Sequence, residues 1–284
     1  MTKSSLSTAI GICLLLMAGL PIGCAETMPP GLKVVTGTSH IANIVEDIGS
    51  DKVVTRNVIP PGSCPGHYDI KPGDIEALAE GDVFLIHHWQ QEYENIKGLI
   101  SAADNPDLII EVIEVKGNWM APPCQAEALD KIATVLSEID PTNSTYYQER
   151  AERRGQAILA KGDELQTELE AAGVNEVRVI CSDMQTGFIE WAGFEVVATY
   201  GRPEELTPAK VAEIIAQAKA AGVALVIDNL QSGPEAGKSM AQDIGAVQVT
   251  ISNFPGGFEQ TETWEKAIAK NIDLLLEALA QYSD

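Results

Sequence analysis

IPPGSCPGHYDIKPGDIE, Ile59 to Glu76, is the stretch whose reading decides the fold. Val53, Val54, Val58 and Ile59 lead into it with the β-branched signature of a strand, and Asp74–Leu78 leads out as a helix. Between them Pro60, Pro61 and Pro65 stiffen a loop, with Gly62 at its turn, that can present Cys64, His67 and Asp69 outward. A rigid loop at a strand end is where an open α/β sheet usually carries its binding site. Taken alone, the loop is equally compatible with a structural turn in which Cys64 and His67 merely pack.

The alternation continues outward from this loop. Leu32–Thr36 reads as a strand, 41–48 as a helix, Val53–Ile59 as a strand and Pro72–Glu80 as a helix stopped at Gly81. Val83–Ile86, 91–103 and Leu108–Val115 follow as strand, helix and strand. Strands separated by helices predict a parallel sheet covered on both faces. Every histidine of the chain (His40, His67, His87, His88) falls just beyond one of these strands, so all four can reach a single rim of the sheet.

After a helix over 123–139, Asp140-Pro141 opens a helical stretch reaching Ala172, with Gly173 as its stop. About 32 residues at 1.5 Å per residue make a rod of roughly 48 Å, long for one small domain and suited to a spine between two. Beyond it the alternation resumes, with strands at Val177–Cys181, Phe194–Thr199, Ala224–Asp228 and Val247–Ile251. Their ends deliver Cys181-Ser182-Asp183, Asp228-Asn229 and Ser252-Asn253. The chain therefore divides into a leader (1–24), a first lobe (25–140), a spine (141–173) and a second lobe (174–284). The fold class is α/β, two Rossmann-like lobes joined by a long rigid helix, with a ligand cleft between them.

The 284 residues carry a formal net charge of −22, which argues against nucleic acid or an anionic membrane surface as partner. The five cysteines are scattered without a CxxC pair, so neither a disulfide scaffold nor a zinc-finger pattern is present. Lys3, the apolar run Ala9–Leu20 and Pro21-Ile22-Gly23-Cys24 read as an export signal. Gly23-Cys24 resembles a lipoprotein processing site with Cys24 as the lipidated residue, although Pro21 stands where Leu is usual. The expectation is an extracytoplasmic protein lipid-anchored to the outer face of the cell membrane.

Taken together, Pro60-Pro61-Gly62, Pro65, Tyr68-Asp69, Pro72 and Asp74, then Trp119 with Pro122, Asp140-Pro141 and Gly193-Phe194-Glu195-Val196, resemble the solute-binding proteins of zinc and manganese ABC importers. The resemblance spans essentially the whole chain after the leader. It implies a protein that captures a transition-metal ion such as zinc in the interlobe cleft and docks on a membrane permease, and a monomer is the simplest expectation. The ligands of that family, usually three histidines and a carboxylate, do not carry over: their positions fall on Gly66, Gly117, Ser182 and Asn253.

Two readings are open. In one the metal site is rebuilt from Cys64, His67, His88, Cys181 and Asp228, with His40, Gly66, His87, Gly117, Trp119, Ser182, Asp183 and Asn253 around it. Thiolate and imidazole together suit zinc, copper(I) and similar ions. In the other the cleft, emptied of four ligands, holds a metal chelate or small organic molecule. The crowding of Cys and His near the lost positions favours the first. A chelatase-like enzyme is the alternative of another class, but the export leader argues against it. A Cys64–His67 nucleophile and base has little support from its spacing, and no GxSxG, P-loop or GxGxxG occurs.

Overall fold

The structure, a computed structural model, describes residues 31–283; the leader and its lipidation candidate Cys24 lie outside the described residues. The first lobe runs β1 (Leu32–Thr36), α1 (Ser39–Gly49), β2 (Val53–Asn57), α2 (Pro72–Glu80), β3 (Val83–His87), α3 (Glu94–Ala103) and β4 (Ile109–Ile113). All its strand pairs are parallel, in the order β2-β1-β3-β4. β3 reads VFLIH and is buried at all five positions, as a central parallel strand covered on both faces must be. The edge strand β2 alternates between covered and exposed positions, and its Val54 lies open to solvent.

α4 (Pro122–Ile139) and α5 (Ser144–Ala171) follow, then the second lobe: β5 (Arg178–Ser182), α6 (Thr186–Trp191), β6 (Glu195–Tyr200), α7 (Pro208–Ala221), β7 (Leu225–Asn229), α8 (Lys238–Ile244), β8 (Val247–Ile251) and α9 (Trp264–Ser283). Its sheet is again wholly parallel, in the order β6-β5-β7-β8. Counted from its own first strand, each sheet reads 2-1-3-4. Each therefore reverses winding direction at its first strand, and the crevice beyond the carboxyl ends at that switch point is the natural ligand position.

The spine begins later than the sequence suggests. Pro141–Asn143 forms a separate turn, and α5 spans 28 residues, about 42 Å. Asp140 holds that turn apart by accepting hydrogen bonds from Asn143 Nδ2 at 2.6 Å and Tyr147 Oη at 2.7 Å. Gly173 ends the segment in the left-handed region at φ +73°, as expected of a glycine stop. Gly81 behaves differently. Its φ is an ordinary −76°, and it is small because a Cβ there would lie 2.9 Å from Val35 Cγ2. Gly162, in mid-helix, lets α5 approach α4, since its Cβ would sit 2.7 Å from Pro122 Cγ.

One hydrophobic core runs through both lobes: Ile44, Leu129, Tyr147, Leu165, Phe188 and Trp264 all belong to it. Polar seams reinforce it. Arg154 of α5 donates to Asp47 at 2.6 Å and also pairs with Glu265 at the start of α9. The fully buried Trp264 donates its backbone N–H to Asn43 Oδ1 at 3.0 Å and its indole N–H to the Trp119 carbonyl at 3.3 Å. This shared core makes the spine a rigid joint rather than a hinge.

Candidate functional site

A cavity of about 440 Å³ opens between the carboxyl ends of the two sheets. The segments following all eight strands contribute to its wall. The volume lies within the roughly 300–1,000 Å³ typical of small-molecule sites.

The first lobe supplies imidazoles and indoles. His40, His87, His88, Trp89 and Trp119 all line the cavity. His87 is stacked on Trp89 with ring centroids 4.7 Å apart and tilted against Trp119 at 4.1 Å. Its Nε2 is 2.8 Å from Thr38 Oγ1, while Nδ1 has no hydrogen-bond partner. His40 lies 5.9 Å from both the Trp119 and Phe254 rings, with Nε2 also unpartnered. Burial pushes the His40 imidazole down to about 3. Burial, with His40 and His88 nearby, lowers His87 well below the usual histidine range. Both are therefore neutral at pH 7 and present lone pairs.

The second lobe supplies charge and amides. Asn229, Gln231 and Asn253 are tied to one another's surroundings: Gln185 donates to Asn229 Oδ1 at 3.0 Å, Asn229 to Ser232 Oγ at 2.7 Å and Gln231 to Ser252 Oγ at 2.9 Å. Asn118 crosses the cavity floor to donate to Asn253 Oδ1 at 2.7 Å and to the Met184 carbonyl at 2.9 Å. Asp183 and Arg202 are the charged side chains on this wall. Burial raises the Asp183 carboxyl, with Glu205 adding and Arg202 opposing. Burial works against the Arg202 charge, but Cys64, Tyr93 and Glu204 more than restore it.

The residues expected at the site separate into two groups. Cys64, His40, His87, His88, Gly117, Trp119, Asp183 and Asn253 do line the cavity. His67, Cys181, Asp228, Ser182 and Gly66 do not. His67 points into a shallow surface depression it shares with Cys64 and Asp69, its side chain 61% exposed and 3.8 Å from Glu204. Cys181 is fully buried in the core, where burial pushes its thiol up to about 12. Its position in β5 points it at the sheet's packing face, 3.8 Å from Thr186 Oγ1. Asp228 is buried and saturated, accepting from Tyr200 Oη, Gly237 N–H and Gln248 Nε2 at 2.6–2.7 Å.

Gly117 and Gly66 have separate explanations. Gly117 holds φ +93°, a conformation that side-chain-bearing residues rarely adopt. A Cβ at Gly66 would meet Arg202 Nη1 and the Tyr93 ring at 3.5 Å each, so these two groups border the space into which a longer side chain would extend. Among the described residues no three of His, Cys, Asp and Glu stand close enough together to hold a metal ion. Sequence reasoning missed Arg202, Trp89, Tyr93 and Asn118. Arg202 was accessible to it: it stands two residues beyond β6, where the position-after-a-strand rule that located the histidines also applies.

Two parallel-sheet lobes on a long helix, with a cavity at their joined strand ends, define a solute-binding protein. The model of the family described as zinc-uptake complex component A, periplasmic, matches residues 34–278, and the chain belongs to that family. The manganese-binding lipoprotein MntA of Halalkalibacterium halodurans is 21% identical over 301 residues, covering 99% of this chain and all of the relative. Among solved structures, the Mn-bound periplasmic metal binding protein of Candidatus Liberibacter asiaticus superposes with a TM-score of 0.74 at 15% identity, over 87% of this chain and 99% of that one. The Ni²⁺ complex of FpvC from P. aeruginosa gives 0.71 at 19% identity, over 88% and 97%.

Proposed function

We propose that this chain is the extracytoplasmic solute-binding component of a transition-metal ABC importer. It captures its cargo between the lobes as a monomer, held to the outer face of the membrane through Cys24, and presents it to a permease. The observation that carries this reading is the cavity itself, a single opening onto which the ends of all eight strands converge. Family membership and metal-binding relatives support the cargo class. The mechanism is capture without chemistry. The continuous core beneath both lobes and the Arg154 and Trp264 seams favour a small adjustment on binding over a wide hinge closure.

Deleting the gene and measuring cell-associated transition metals by mass spectrometry under metal limitation tests the role. The expected result is a selective deficit in one metal, restored by the intact chain. Unchanged content of every transition metal would contradict it.

A further inference from the structure

We propose that the cavity takes its metal as an anionic chelate of the hydroxy- or amino-carboxylate class, with a chelator carboxylate on Arg202 and the body of the complex against the rings of Trp89, Trp119 and Phe254. The inference rests on the metal-importer reading above and specifies the cargo of that same site.

Four observations lead to it. The first is size. A bare ion bound by protein alone needs donors converging at about 2.0–2.6 Å, and no three His, Cys, Asp or Glu side chains among the described residues are grouped to do so. What exists is about 440 Å³ of space.

The second is Arg202. It lines the cavity beside Tyr93 and forms no ion pair within 4 Å among the described residues. With Asp183 and Glu204 nearby the wall carries both signs of charge, and the planar guanidinium fork of Arg202 matches the two oxygens of a carboxylate. On a chain of net charge −22 such local attraction is what an anionic cargo requires.

The third is Asp183 on the same wall. A carboxylate there accepts a proton donor, which selects a chelator bearing a hydroxyl or an ammonium besides its carboxylates. The fourth is the pair of buried, unpartnered nitrogens, His40 Nε2 and His87 Nδ1, on residues that line the opposite wall. Buried polar atoms are normally hydrogen-bonded, and neutral imidazoles suit both a ligand hydroxyl and an open coordination position of a transition metal. The aromatic rings between these polar ends supply an apolar surface that a hydrated ion would not use.

The test titrates the intact chain with nickel(II), zinc(II) and manganese(II), each as the chloride, as the citrate complex and as the nitrilotriacetate complex. Both chelators alone serve as controls. Binding is read by calorimetry and by native mass spectrometry. The expected result is a bound mass equal to metal plus chelator, at least tenfold tighter than either component alone. Arg202→Leu should weaken that complex tenfold or more with an unchanged melting temperature, and Arg202→Lys should recover part of the loss. A chloride that binds as tightly as its best chelate overturns the inference while the importer reading stands. Chelate affinity indifferent to Arg202→Leu overturns it as well. Failure of every metal form to bind removes both.

Discussion

The two lobes share one topology and offer the cavity opposite chemistries. At the strand ends of the first lobe stand His40, His87, His88 and two indoles, with ring nitrogens left unpartnered. At the equivalent ends of the second stand Arg202, Asp183 and amides already engaged with their neighbours. Identical backbone winding therefore fixes where a ligand sits and leaves its nature to a handful of residues just past the strands. One wall is built to meet soft, polarisable or aromatic surface, and the other to read charge.

The comparison depends on the lobes being one cooperative body, and the largest effect is expected where they join. Trp264→Ala removes a fully buried indole from the common core together with both of its hydrogen bonds. It should cost about 3–5 kcal/mol, read as a shift in the urea midpoint of a single transition. Two resolved transitions, one per lobe, would break the comparison at its base.

Next comes Asp228, which belongs to the frame of the second wall. Asp228→Ala strands the Gly237 N–H, while the Tyr200 hydroxyl keeps the Ile227 carbonyl as acceptor, and should destabilise by about 1–3 kcal/mol. Cargo affinity should stay within twofold. A large loss of affinity without loss of stability would return Asp228 to the site.

The buried imidazoles sharpen the contrast through pH. His40 takes up its proton near 3 when folded and near 6.5 when unfolded. Below pH 6.5 the unfolded chain binds a proton the native state refuses, so the stability His40 gives is complete above pH 6.5. It is lost by about 1.4 kcal/mol per pH unit as the pH falls toward 3. His87 acts in the same direction. Asp183 and Asp228, with raised carboxyls, act in the opposite one. The difference between wild type and His40→Asn isolates the imidazole: the variant's stability should fall less steeply between pH 6.5 and 4. Parallel curves would contradict the buried neutral state.

The smallest effect belongs to His67, exposed and outside the cavity. His67→Ala should change stability by less than about 0.5 kcal/mol and leave binding untouched, as a titration of both proteins would show.

The fold was legible because its signals are local. Val83–Ile86 is apolar without alternation, as a doubly covered strand requires, and Asp140-Pro141 and Gly173 bracket the spine chemically. The site was legible only to the level of strand ends. His40, His87 and His88 followed from position alone, but whether a side chain near a strand end faces the cavity or the core depends on its exact register. Two positions separate Cys181, inside β5 and the sheet's packing, from the cavity-lining Asp183, which stands just past the strand's end. His67 is an error of the same kind on a loop: Asn95 donates to the Pro65 and Tyr68 carbonyls and fixes a tight turn that directs the imidazole outward. Neither contact is visible in the residues of the loop, since Asn95 lies on another helix.

The central claim, a metal cargo held between two unlike walls, is tested most directly by elemental analysis and native mass spectrometry of the chain isolated from its own cells without added metal. The expected result is one transition metal per chain, accompanied by an added mass of a few hundred daltons that leaves together with it. A chain that carries only non-metal mass would contradict it, and a metal at bare-ion mass with no accompanying ligand would overturn the chelate while leaving the metal cargo in place.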